Sequence, residues 1–227
     1  MLSAQLLLHI AEELKLPFLQ IARHSENASE KNHNELKLVQ VVAENALRLL
    51  DNYTLGVSMN LESYEQKLEP VSIPSVLYEA SNQLRPIAKR YGVELNLKIK
   101  GRYNPVMADK QGLQAALVSL GSALIEAMPA QGAQQLSLSF ATHHGRNGIV
   151  AGIYGNNRQL SKDILKKGRQ LQHGRQPFVS LSHTSGAGII VADSLLEAMN
   201  LQLYSSRHDG LYGLGVAMQP THQLELV

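Results

Sequence analysis

The sequence holds no cysteine, no tryptophan and only three phenylalanines in 227 residues. Without cysteine there can be no disulfide, no thiolate nucleophile and no cysteine-ligated zinc. Such a chain fits a reducing compartment. With so few large aromatics, its cores must be aliphatic. No apolar run approaches the roughly 20 residues that span a bilayer. The first residues, MLSAQLLLHIAEE, lack the basic start and small-residue cleavage site of a signal peptide. A cytoplasmic location with no membrane segment in the chain is therefore expected. Net charge is small, with 21 Lys and Arg against 19 Asp and Glu. No dense basic stripe with interleaved aromatics is present, so nucleic acid is not an expected partner.

What is present is an ordinary globular composition, 44% hydrophobic, long enough for one large domain or two small ones. Leu7, Ile10, Leu14, Phe18 and Ile21 recur at spacings of three and four. This predicts a helix over 2–24, with a kink where Pro17 removes a backbone donor. A polar turn, SENASEKNHN, precedes a second predicted helix over 35–60 with Val39, Val42, Ala46, Leu49, Tyr53 and Val57 on one stripe. Two such helices make an antiparallel hairpin. Leu6, Leu8, Val41 and Leu50 widen its apolar surface beyond one seam. A second copy would cover that surface, giving a four-helix bundle in a homodimer. Residues 61–75 contain two prolines and few periodic apolars, and are expected as a linker.

Beyond the linker the pattern changes. Helices are predicted at 76–92, 108–128 and 186–199, and strands at 93–101, 135–144, 148–155, 201–206 and 214–219. Asp109 stands near the start of the second of these helices. The last two strands close around the turn RHDGLYG. The expected class is α+β, with helices covering one face of a mixed sheet. The domain plan is a helical hairpin at 1–60, a linker at 61–75 and an α/β sandwich at 76–227. His143 and His144 are metal-ligand types, but neighbours in a strand point to opposite faces, which argues against a zinc site.

The order of these parts resembles the cytoplasmic core of bacterial sensor histidine kinases. In that family a dimerisation and phosphotransfer hairpin precedes an ATP-binding domain. The family's H-E-L-[KR]-[TS]-P-L motif is matched by Glu12-Glu13-Leu14-Lys15-Leu16-Pro17-Phe18. L-E-P-V at 68–71, L-x-E-A at 77–80 and V-x-A-D at 106–109 follow in family order. The likeness runs nearly the full length, to Pro220.

The resemblance also shows which chemical groups are replaced. The phosphoacceptor histidine is replaced by Glu12, so the imidazole nucleophile is missing. Glu13 matches the acidic residue that would orient or deprotonate it. The asparagine box that holds Mg²⁺ is matched by Ser119-Leu120-Gly121-Ser122-Ala123-Leu124, and Ala123 has no oxygen for a hard dication. The adenine-binding aspartate is matched by Gly155, followed by Asn156. The glycine box survives best, in Thr184-Ser185-Gly186-Ala187-Gly188.

Each of these features has a plainer alternative. The Glu12 and Glu13 carboxylates either mimic a charged phosphohistidine or face solvent. His9, one turn before Glu12, is either a displaced acceptor or a boundary residue. Gly186 and Gly188 suit either an anion at a helix start or close helix packing. The basic run with Lys166, Lys167, Arg169, His173 and Arg175 matches the family's ATP lid, or is simply solvated. The resemblance implies a homodimeric, non-catalytic module of two-component signalling. Its expected partner is a response-regulator receiver domain or a true kinase. A phosphotransferase using His9, or a kinase using ATP and Mg²⁺ under a different alignment, are the alternatives.

Overall fold

A computed structural model of the chain describes residues 17, 19–21, 33–60, 64–128, 136–146, 148–156, 165 and 186–221. Pro17, Leu19, Gln20 and Ile21 are helical. His9, Glu12, Glu13, Thr184, Ser185 and the basic run 166–175 lie outside the described residues, as does most of the predicted first helix.

Helix α1 (His33–Met59) is followed by strand β1 (Leu68–Val71), helix α2 (Ile73–Arg90), and strands β2 (Val93–Ile99) and β3 (Val106–Asp109). Helix α3 (Lys110–Ala127) leads to strands β4 (Leu136–Gly145) and β5 (Gly148–Gly155). Helix α4 (Gly186–Ala198) and strands β6 (Leu203–His208) and β7 (Leu211–Met218) complete the described chain. A five-stranded mixed sheet runs in the order β2-β4-β5-β7-β6, and β1 pairs with β3 in a separate two-stranded ribbon. Among the described strands only β2 and β4 run parallel, joined by the crossover through β3 and α3. The α+β class is as expected.

Three differences from the sequence expectation have local causes. The stretch read as a linker holds structure in its second half. Leu68–Val71 forms β1, and α2 starts at Ile73, directly after Ser72, with a proline in its first turn where a missing N–H costs nothing. A four-residue strand carries too little periodicity to be legible, and β3 escaped notice for the same reason. The last turn is also tighter than RHDGLYG. It consists of Asp209 and Gly210, both at positive φ, so β6 and β7 run almost to the tip.

The helices α2, α3 and α4 cover one face of the sheet. On α2, Ile73, Val76, Leu77, Ala80, Leu84 and Ile87 are buried, an i, i+3, i+4 stripe. On α3 nearly every side chain is buried, and Gly121 lets its backbone settle onto Leu84, Phe140 and Ile153. Asp109 fixes the start of α3 by accepting from Gly112 N at 2.9 Å. Its other carboxylate oxygen accepts from Lys67 N at 3.2 Å and Tyr64 OH at 3.4 Å.

The opposite face is not flat. β4 and β6 have β5 and β7 between them, three strand spacings or about 14 Å in a flat sheet. Yet the rings of His143 on β4 and His208 on β6 stack with centroids 4.3 Å apart. The β6–β7 hairpin must therefore curl back across β4 and β5. Gly152, Gly213 and Gly215 permit it. A Cβ at Gly213 would lie 1.9 Å from the Ile153 carbonyl oxygen, and one at Gly152 would lie 2.3 Å from the Tyr154 hydroxyl. Tyr154, 0% exposed, fills the inside of the curl.

Candidate functional site

The residues matched to a nucleotide pocket divide between two layers. Gly155 ends β5, paired with Leu138 on one side and Tyr212 on the other. It is buried in the sheet, and Asn156 follows it as an exposed bend. Ser119 and Ala123 lie one turn apart on α3, each only 2% exposed. Gly186 opens α4, and Gly188 stands two residues in.

The structure brings Ser119, Ala123 and Gly188 together at the crossing of α3 and α4. A Cβ on Gly188 would meet the Ser119 carbonyl oxygen at 2.6 Å and the Ala123 Cβ at 3.1 Å. The two helix backbones are thus in near-contact, and the small residues permit it.

A third helix closes over the same crossing. Helix α1 lies along α3 and α4, with Gly56 against Leu195, and Met59 against Gly112. Ala46 is buried in the same core cluster, and Leu49 and Tyr53 pack against it. Two asparagines tie α1 to α3. Asn52 donates to the Ser119 hydroxyl at 2.9 Å and to the Ala115 carbonyl at 3.3 Å. Asn45 donates to Glu126 Oε1 at 2.9 Å, and the Ser122 hydroxyl donates to Asn45 Oδ1 at 3.1 Å. Burial, together with the Glu126 charge, pushes the Tyr91 hydroxyl above its ordinary value, with Arg90 opposing.

Sequence reasoning missed this polar tie, although a signal existed. Asn45 and Asn52 stand seven apart, on the same stripe as the apolar Leu49 and Tyr53. Polar groups at two-turn spacing on a buried face need partners. The cluster of His143, His208 and Tyr154 was also missed, since strand order cannot reveal a curl. His143 and His144 turn to different neighbours: His143 to Tyr154 and His208, His144 to the Tyr103 ring. Among the described residues no three His, Cys, Asp or Glu side chains gather to hold a metal ion, and no helix is long and apolar enough to cross a membrane.

This architecture, a long helix beside a mixed sheet covered by helices on one face, is the fold of histidine-kinase cytoplasmic and catalytic domains. The chain is similar to the histidine kinase AdeS of Acinetobacter baumannii, at 12% identity and a TM-score of 0.59 over 92% of this chain and 98% of that one. It is similar to full-length ShkA, solved in complex with AMPPNP, at 17% identity and a TM-score of 0.54, covering 97% of this chain and 47% of that one. A bacterial phosphotransferase is matched at 14% identity and a TM-score of 0.53, over 95% of this chain and 98% of that one. No family model matches the chain, and no curated protein matches it significantly in sequence.

Proposed function

We propose that the chain is a histidine-kinase-like module of two-component signal transduction that acts as a dimeric scaffold without phosphotransfer chemistry of its own. Its parts are the hairpin at 1–60, a connection, and an ATPase-like domain to which β1 and the start of α2, within 61–75, also belong. The single observation that carries this reading is the α3–α4 crossing. The residues matched to the metal-binding box are buried in helix contact, and the Ser119 hydroxyl is already engaged by Asn52. They do not fit a magnesium nucleotide. Ala123 and Gly155 carry no side-chain oxygen, and Mg²⁺ needs oxygen ligands in strict geometry. Glu12 likewise offers no imidazole to carry phosphate. The module works in the cytoplasm as a homodimer, and binds a receiver domain or a partner kinase through its first helix and the lower bundle.

The test is calorimetry with a non-hydrolysable ATP analogue and Mg²⁺, together with radiolabelled ATP. No binding and no label are expected, and micromolar affinity or label on the protein overturns the reading. The full-length likeness to a phosphotransferase favours a second reading, in which His9 carries phosphate received from a receiver domain. Incubation with a phosphorylated receiver decides it. Acid-labile label that disappears in His9→Ala supports that route, and no label on the chain refutes it.

A further inference from the structure

The curled hairpin is held shut by a cluster unrelated to the α3–α4 crossing. His143 and His208 stack nearly parallel, 4.3 Å apart and 8° from coplanar. Beneath them the Tyr154 hydroxyl lies 2.8 Å from His143 Nε2 and 3.3 Å from the Ser206 hydroxyl. At the tip, Asp209 faces the Lys100 ammonium at 3.8 Å and His208 Nε2 at 3.8 Å. The charged and titratable groups around His208 are thus His143 from β4, Tyr154 from β5, Lys98 and Lys100 from β2 and its end, and Asp209 from its own turn.

We propose that the tip of the β6–β7 hairpin is an acid-released clasp: the stack of His143 on His208 holds it against β4 while at most one ring is charged, and protonation of both rings releases it.

The hydrogen bonds explain why one proton is tolerated and two are not. His143 Nδ1 lies 3.3 Å from the His144 carbonyl. A carbonyl only accepts, so Nδ1 carries the hydrogen. In the neutral ring Nε2 then accepts from Tyr154, which accepts in turn from Ser206. When His143 gains a proton, Nε2 donates to Tyr154, and Tyr154 donates to Ser206. Both states keep every partner satisfied. His208 has no such relay. Its imidazolium would face a cationic His143 together with Lys98 and Lys100, with Asp209 as the one carboxylate against them. Burial and the His143 charge hold its basicity below the ordinary 6.5, Asp209 opposes them, and the two lysines add to the lowering. A base weakened in the folded state contributes its stability above its ordinary pKa. That contribution fades as the pH falls below it.

The test is hydrogen exchange on the full chain, read in peptides from 203–218 and, as an internal reference, from 110–127. Measurements at about pH 8 and about pH 5.5 bracket the histidine range. After correction for intrinsic rates, exchange in the hairpin should rise severalfold at the lower pH, while α3 stays protected. In His208→Gln the hairpin rate should no longer depend on pH, whatever its baseline. His143→Gln removes the like-charge pair alone and should weaken the acid response without abolishing it, since burial and the two lysines still act on His208. The proposal is overturned by pH-independent exchange in the parent chain, by an acid response that survives in His208→Gln or is undiminished in His143→Gln, or by equal acceleration in α3.

Discussion

The crossing of α3 and α4 makes a quantitative demand on Gly188. Replacing it with alanine places a methyl 2.6 Å from the Ser119 carbonyl oxygen and 3.1 Å from the Ala123 methyl. Alanine is the better helix former by about 1 kcal/mol, which favours the variant. Overpacking a filled core costs about 1–3 kcal/mol. The nearest atom here is backbone, which cannot swing aside as a side chain can, so the cost falls in the upper part of that range. The net expectation is a loss of about 1–2 kcal/mol. For a chain of this size that lowers the melting midpoint by about 2–8 °C. Urea unfolding followed by circular dichroism gives the free energy, and a thermal scan gives the midpoint. The loss should be the same with and without magnesium nucleotide. Unchanged or increased stability would mean that the helices have room between them, and the packing account of this glycine would fail.

Three further expectations follow from particular side chains. Leu47, 56% exposed on α1 although apolar, should belong to the dimer seam; Leu47→Glu should shift light scattering from dimer to monomer while far-ultraviolet dichroism stays intact, and an unaltered dimer would place the seam elsewhere. Among the described residues the Thr142 hydroxyl is buried without a hydrogen-bond partner, so Thr142→Val should raise stability by about 1 kcal/mol in urea melts, and a loss would show that the hydroxyl has hidden value. Burial pushes the Tyr154 hydroxyl up from 10.0 to about 12, with the Ser206 hydrogen bond opposing. A raised acid contributes stability that is complete below pH 10.0 and is lost between there and about pH 12. Difference absorbance should show a late-ionising tyrosine that is missing in Tyr154→Phe, and simultaneous ionisation of all tyrosines would contradict its burial.

The sequence made the long, periodic elements legible and concealed the contacts between them. Helix α2 announced itself through Val76, Leu77, Ala80 and Leu84, and β5 through its unbroken apolar run. The four-residue strands β1 and β3 stayed hidden because so short a segment fixes no period. On α1, the stripe of Ala46, Leu49 and Tyr53 was correctly seen as apolar, but it packs on α3 and α4 rather than only within a hairpin. A stripe states that a face is covered and is silent about what covers it. At the candidate site, residue identity at Ala123 and Gly155 was visible at once. The approach of Gly188 to Ser119 was not, since it depends on where two helices cross. The histidine stack was the least legible feature, because it joins strands that have two others between them.

The asparagine ties along α1 have a mechanical consequence. Asn45 and Asn52 bind this helix to α3, and Gln66, just past its end, donates to the Ala198 carbonyl at the end of α4. A helix anchored at so many points cannot swing as a loose arm. Whatever grips its outer leucines should push on the sandwich as well, as on a stiff beam rather than a slack tether.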